Sequence, residues 1–170
     1  MKSVRTIALC TLAMSLFAAP ASAHVTVAPA HVAAGAFEEL TFRCPNERPA
    51  ASTTKLVVQL PQSNPLMYVS VRPVPGWRTT VTMRKLAQPV RGNHGAVTTV
   101  VDTITWSGGR IRPGEYQDFA ILAGTMPRGV RALTFKALQT YSDGEVVRWI
   151  ELRGPGEPEP AHPAPVLEIR

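Results

Sequence analysis

Hydrophobic and polar residues alternate along most of the chain with a period of two. In the segment 132–141, for example, Leu133, Phe135, Ala137 and Gln139 share one face, and the residues between them share the other. This period is typical of a half-buried β-strand, and no segment places apolar residues at helical spacing over ten residues. The pattern predicts strands at 37–44, 53–60, 67–72, 78–86, 97–106, 116–123, 132–141 and 146–152.

Residues that favour turns stand between the predicted strands, among them 61–65, Gly108-Gly109 and Pro113-Gly114. Asp143-Gly144 lies between two alternating segments and predicts that the last two strands form a hairpin. Short strands separated by frequent turns are typical of antiparallel sandwiches. We therefore predict an all-β fold, an antiparallel β-sandwich of immunoglobulin or cupredoxin type with about eight or nine strands.

The first 23 residues have the three parts of a secretory signal peptide. Lys2 and Arg5 form a basic start, residues 7–19 are apolar and uncharged, and Ala21-Ser22-Ala23 is a small-residue cleavage site. The apolar stretch is too short to span a bilayer comfortably. We expect cleavage between Ala23 and His24 and a mature protein that is periplasmic or secreted.

The mature chain, residues 24–170, has a suitable length for one domain with its own core. We assign residues 24–153 to the sandwich. From Gly154 the composition becomes rich in proline, glycine and glutamate, which predicts a flexible, solvated tail over 154–170. No second apolar segment follows the domain, so a membrane anchor is not expected.

The mature chain has a mild positive charge. Loss of Lys2 and Arg5 leaves 16 basic against 12 acidic residues, a net charge of +4. The basic residues are scattered, whereas a nucleic-acid-binding protein would cluster them on one surface. Nucleic acid is therefore not an expected partner.

Cys44 is the one cysteine that remains after cleavage, so the mature chain has no internal disulfide. It follows Leu40 and Phe42 on the apolar side of an alternating segment. This position favours a buried, unreactive thiol over a metal ligand or a reactive thiol.

A histidine at a new N-terminus is a metal chelator. The α-amine and the Nδ1 atom of His24 can bind one ion and close a six-membered ring, and their ordinary pKa values allow a metal to displace their protons near neutral pH. Nitrogen donors in a plane suit Cu(II), with zinc and nickel as alternatives. We expect one Cu(II) per chain; the alternative is that His24 merely follows the cleavage site.

Carboxylates could complete such a site. Glu115 stands out because it follows the Pro113-Gly114 turn and begins a strand, although an exposed acid at a strand start needs no function. Other available acids are Glu47, Asp118, Asp143, Glu145 and Glu151.

Aromatic, histidine and methionine residues give weaker signals. Trp149 lies in the last predicted strand, where a tryptophan is more often part of the core than a neighbour of a metal. The other histidines, His31, His94 and His162, fall in loop or tail contexts typical of solvated side chains. No Met-rich or Cys-x-x-Cys motif indicates a soft Cu(I) site.

Several motifs together resemble the YcnI-like family of bacterial copper-binding proteins. The resemblance extends from the mature N-terminus to about Glu151 and is most specific at its two ends. It is carried by His24-Val25-Thr26-Val27, Cys44-Pro45-Asn46-Glu47, Pro73-Val74-Pro75-Gly76-Trp77, Pro113-Gly114-Glu115-Tyr116 and the segment Gln139 to Trp149.

The resemblance implies a cupredoxin-like or fibronectin-like sandwich and a Cu(II) site formed by the amine and Nδ1 of His24, a monohistidine brace. It also implies that an acid and a tryptophan complete the site. The tryptophan corresponds to Trp149, and the acid to Glu115 or, as a second choice, Glu47.

The sequence is compatible with three functions. A non-enzymatic copper carrier, buffer or chaperone would exchange its ion with another periplasmic copper protein or an importer. An oxidative enzyme similar to polysaccharide monooxygenases would need a second histidine, and none lies on a predicted strand. A metal-free scaffold would leave His24 without a role. The carrier is the prediction.

Overall fold

A computed structural model describes residues 24–92 and 95–170, so the predicted signal peptide, Asn93 and His94 lie outside the described residues. The described chain forms β-strands and no helix, and therefore contains no helix that could cross a membrane. The strands are β1 (Thr26–Ala28), β2 (His31–Val32), β3 (Glu38–Pro45), β4 (Thr53–Gln59), β5 (Tyr68–Val71), β6 (Arg78–Gly92), β7 (Gly95–Ile111), β8 (Tyr116–Gly124), β9 (Ala132–Thr134), β10 (Lys136–Tyr141), β11 (Val146–Trp149) and β12 (Val166–Ile169).

The strands form three sheets. One has the order β1-β3-β8-β5, the second β11-β10-β4-β7-β6, and a small third sheet β2-β12-β9. Neighbouring strands are antiparallel except β2 and β12, which are parallel. The predicted all-β, mainly antiparallel fold is confirmed, although the twelve described strands exceed the eight or nine expected.

Aromatic residues from different sheets meet in the core. Trp106 of β7 packs on Phe119 of β8 with ring centroids 5.0 Å apart, and Phe42 of β3 meets Phe135 edge-on at 5.1 Å. All four side chains are fully buried. Such pairs contribute about 0.5–1.5 kcal/mol beyond the area they bury. The Trp106–Phe119 pair joins the five-stranded and four-stranded sheets into a sandwich, and Phe135 packs on the four-stranded sheet from the link between β9 and β10.

Each predicted strand has a counterpart, but its limits differ. Strands β6 and β7 extend well beyond the predicted limits of 78–86 and 97–106 and form a long hairpin. The predicted strand 132–141 is divided at Phe135 into β9 and β10, which belong to different sheets. The short strands β1, β2 and β12 were not predicted. Each has two to four residues, too few to display a period of two.

The hairpin predicted at Asp143-Gly144 is confirmed, since β10 and β11 pair antiparallel across it. Gly144 has a positive φ of 89°, which glycine adopts without a steric penalty. The register places Trp149 opposite Ala137. Trp149 and Gln139 are therefore diagonal neighbours on one face, close enough for long side chains to touch.

The prediction of a flexible tail over 154–170 is wrong for its last part. Strand β12 pairs with both β2 and β9, and Ala164, Leu167 and Ile169 are buried. The strand alternates exposed and buried residues over only four positions, and the proline-rich segment before it led to the prediction of a tail. Its partner strands lie far away in the sequence, so only the fold reveals that these residues belong to the domain.

Candidate metal centre

His24 is held at the edge of the sandwich by the strand that follows it. Val25 and Val27 are buried in the core, and β1 pairs with β3 from Thr26 onward. His24 precedes β1 by two residues, and its side chain is 19% exposed. Its Nδ1 atom lies 3.3 Å from Oε1 of Glu159.

Trp149 lies directly beside this histidine. Its indole ring is 5.6 Å from the His24 ring, centroid to centroid, with an angle of 53° between the planes. Trp149 is the last residue of β11 and is almost completely buried. The structure thus brings together two of the three residues predicted for the site, and it makes Trp149 a core residue as well as a neighbour of His24.

Gln139 fixes the indole from the core side. The Trp149 Nε1–H donates to Gln139 Oε1 at 3.0 Å, while the Gln139 amide donates to the Pro45 carbonyl and to Thr53 Oγ1, each at 2.8 Å. Gln139 is fully buried. We did not identify this residue as part of the site from the sequence, although a polar residue on the apolar face of a strand was a visible signal.

Glu159 reaches His24 because the chain returns to the site after β11. Together with Glu151, Arg153 and Pro160, the two residues line a cavity of about 570 Å³. The Glu159 side chain is 61% exposed and lies in the segment predicted to be a flexible tail. This location explains why sequence reasoning missed it.

His162 packs on the same indole in an edge-on geometry, with ring centroids 5.4 Å apart. Its backbone N–H donates to Oε2 of Glu151 at 2.9 Å, and its Nδ1 lies 3.8 Å from Oε1 of the same carboxylate. Its side chain is 46% exposed, so it is partly solvated, as predicted, and also packs on the indole.

Glu115 and Glu47, the two acids that the family resemblance assigns to the site, do not contact His24 in the cavity that it lines. Oε2 of Glu115 accepts the N–H of Arg112 at 2.8 Å, so this carboxylate closes its own turn. Glu47 lines a different cavity of about 250 Å³ beside Trp149 and His162. Neither lines the cavity that contains His24, and Glu159 is the acid that meets this histidine.

The separation of His24 Nδ1 and the Glu159 carboxylate allows both atoms to bind one metal ion. At bond lengths of about 2.0–2.2 Å, neighbouring ligands of one metal lie roughly 3.0–3.5 Å apart, and the His24 and Glu159 atoms satisfy this without movement. Within residues 24–92 and 95–170, no three His, Cys, Asp or Glu side chains converge on a metal position. The α-amine of His24 is a further nitrogen donor once this residue is the N-terminus.

Cys44 has no part in this site. It is fully buried, as predicted, and burial raises the pKa of its thiol to about 12. A thiol that remains protonated at neutral pH is a poor metal ligand and a poor nucleophile.

Comparison with known proteins gives three findings. Residues 24–169 match the family model of a domain of unknown function, DUF1775. The copper-binding protein CutI of Bacillus subtilis (strain 168) is 33% identical over 135 residues, and the match covers 78% of this chain and 58% of that protein. A crystal structure of an uncharacterized Nocardia farcinica protein with an immunoglobulin-like fold matches with a TM-score of 0.66 and 32% identity, covering 86% of this chain and 97% of that one.

Proposed function

This chain belongs to the YcnI-like family, DUF1775, and from this we propose that it is a copper-binding protein which holds one Cu(II) ion at His24. The observation that carries the proposal is the contact of His24 Nδ1 with the Glu159 carboxylate at 3.3 Å, against the wall formed by Trp149. The copper-binding relative CutI supports the choice of metal.

The protein chelates the ion with the α-amine and Nδ1 of His24 once residues 1–23 are removed. Both donors then belong to one residue, and β1 holds that residue in place. The match to the family model begins at His24, which supports the cleavage site inferred from the signal sequence. A signal peptide of this kind places the mature protein in the periplasm or outside the cell.

Glu159 supplies the acidic ligand in this proposal, in place of Glu115 or Glu47. A carboxylate oxygen and two nitrogens form a donor set that suits Cu(II) better than Cu(I), which prefers sulfur. Because Glu159 is mostly exposed, it can turn away from the ion with little loss of packing. This freedom fits a protein that must release its copper as well as bind it.

Trp149 shields one side of the ion from water. Its N–H is already bonded to Gln139, so the indole presents carbon atoms to His24 rather than a hydrogen-bond donor. An apolar wall restricts solvent access and influences the redox potential of the bound metal. These features describe a binding site, and we assign the protein the role of a copper carrier, buffer or chaperone and not that of an enzyme.

A Cu(II) titration of the protein that begins at His24, followed by EPR, tests the proposal. We expect one tightly bound equivalent with nitrogen hyperfine structure. A matched protein with one additional residue before His24 should lose it, because its amine is displaced. Undiminished tight binding by the extended protein would contradict the chelate, and reductant-dependent peroxide formation above that of free copper would favour the oxidative enzyme.

A further inference from the structure

Trp149 contacts two histidines, His24 and His162, and these two side chains line different cavities. His24 lines the cavity of about 570 Å³, whereas His162 lines the cavity of about 250 Å³. Both rings lie within 5.6 Å of the indole, centroid to centroid. Glu151 lines the larger cavity together with His24 and also reaches His162, so it connects the two sides.

The backbone holds the His162–Glu151 pair in place. The Ile150 and Glu151 N–H groups donate to the His162 carbonyl at 3.1 Å, and the Ala164 N–H donates to the Glu151 carbonyl at 2.8 Å. One carboxylate oxygen of Glu151 accepts the His162 N–H. The other oxygen and Nδ1 of His162 remain 3.8 Å apart on side chains that are nearly half exposed.

We propose that His162 and Glu151 form a second, weaker copper(II) site that exchanges its ion with the site at His24. The inference rests on the proposed function and extends it. An imidazole nitrogen and a carboxylate oxygen are both suitable ligands for Cu(II). Bound to one ion they would lie roughly 3.0–3.5 Å apart, so the exposed side chains need to close by only about half an ångström.

This second site is weak because it offers two protein ligands, the remaining positions being filled by water. The site at His24 has the chelate ring and a third ligand, Glu159. Because Glu151 lines the cavity of His24 and also reaches His162, an ion that leaves the tight site meets a second pair of ligands. The His162–Glu151 pair could instead be a structural ion pair that holds the chain after β11, and its geometry would then be the same. Only a copper-binding measurement separates this structural role from a copper site.

The test uses Cu(II) titrations of the protein that begins at His24 and of its variants. The unmodified protein should bind a tight and a weaker equivalent. His162→Ala and Glu151→Gln should each lose the weaker equivalent and keep the tight one. His31→Ala, which removes another exposed histidine in β2, should keep both.

The protein extended by one residue before His24 separates this inference from the proposed function. It should lose the tight equivalent and keep the weaker one, and adding His162→Ala should remove that as well. If the unmodified protein lacks the tight equivalent but keeps the His162-dependent one, the proposed function and the exchange are contradicted, whereas the copper site at His162 and Glu151 stands.

Exchange between the sites is measured by the rate at which EDTA removes the tightly bound ion. We expect slower removal from His162→Ala than from the unmodified protein or from His31→Ala. A weaker equivalent that survives His162→Ala, a tight equivalent with no weaker one in the unmodified protein, or an unchanged removal rate would each overturn the inference.

Discussion

The Trp149 indole N–H donates to the side-chain oxygen of Gln139 at 3.0 Å inside the core. This buried amide therefore fixes the position of the ring that packs against His24. Both ends of that amide are bonded, since Thr53 and Pro45 accept from its nitrogen. The copper site that we propose thus depends on a polar network that is hidden from solvent.

Replacing Gln139 with leucine should weaken both the fold and the site. The substitution leaves the Trp149 N–H without its buried partner, which costs about 1–3 kcal/mol. Urea unfolding should detect the loss, and copper-dependent quenching of tryptophan fluorescence should show that the indole has moved relative to His24. Gln88→Leu at an exposed position of β6 is the control, and its stability should change by less than about 0.5 kcal/mol. Equal effects of the two substitutions would contradict the role of the network.

Replacing Glu159 with glutamine should lower the Cu(II) affinity of the protein that begins at His24. The carboxylate meets His24 Nδ1, and its loss should cost at least the roughly tenfold in affinity that outer-shell partners of metal ligands contribute. Competition titration against a chelator of known affinity measures the change. Glu115→Gln is the matched control and should bind copper normally, because that carboxylate closes its own turn. The reverse ranking would restore Glu115 as the acidic ligand.

Replacing Leu167 with alanine should destabilise the whole domain. Leu167 is fully buried in β12, and truncation of a buried leucine costs about 2–5 kcal/mol. The neighbouring Val166→Ala, at an exposed position of the same strand, should change stability by less than about 0.5 kcal/mol. Chemical denaturation of the two variants provides the comparison. Similar small effects at both positions would mean that the C-terminal strand is dispensable.

The buried thiol of Cys44 should make stability depend on alkaline pH. In the unfolded chain a thiol ionises near pH 8.5, but in the folded protein its pKa is raised to about 12. The contribution of the protonated thiol to the free energy of unfolding is therefore complete below about pH 8.5 and declines as the pH rises towards 12. Between these values the free energy of unfolding should fall by up to about 1.4 kcal/mol per pH unit.

Urea unfolding at pH 8 and pH 10 checks this dependence against Cys44→Val, which lacks the thiol. The free energy of unfolding should fall more between the two pH values in the unmodified protein. Burial and then the charge of Cys44 raise the pKa of Tyr141, so the pH dependence that Cys44→Val removes includes this coupling to Tyr141. Identical pH dependence would mean that the thiol ionises as readily in the folded protein as in the unfolded chain.

The regular part of the fold was predictable because each long strand carries its own signal. A period of two over six or more residues identifies the faces of β3, β4 and β10, and Asp143-Gly144 identifies the turn between β10 and β11. Strand β12 was not predictable from its four residues, because its stability comes from two partners far away in the sequence.

The candidate site divides in the same way. His24 and Trp149 could be chosen from the sequence, His24 from its place after the predicted cleavage site and Trp149 from the family resemblance. Glu159 could not be assigned, because its contact with His24 joins opposite ends of the described chain. Gln139 and His162 are close to Trp149 in the sequence, but their contacts with the indole depend on how the side chains pack. A carboxylate in a proline-rich segment has the same composition whether it faces solvent or a histidine.

The sequence by itself determined the all-β class, the hairpin at Asp143-Gly144 and the burial of Cys44, because local alternation and turn chemistry decide each of them. Only the tertiary structure decided which acid meets His24 and that the C-terminal residues complete the domain. The physical reason is that a ligand position depends on how separate strands come together in space, and one strand does not contain this information. Because the chain returns past His24 on its way to β12, Glu159 and its neighbours enclose the histidine in a cavity.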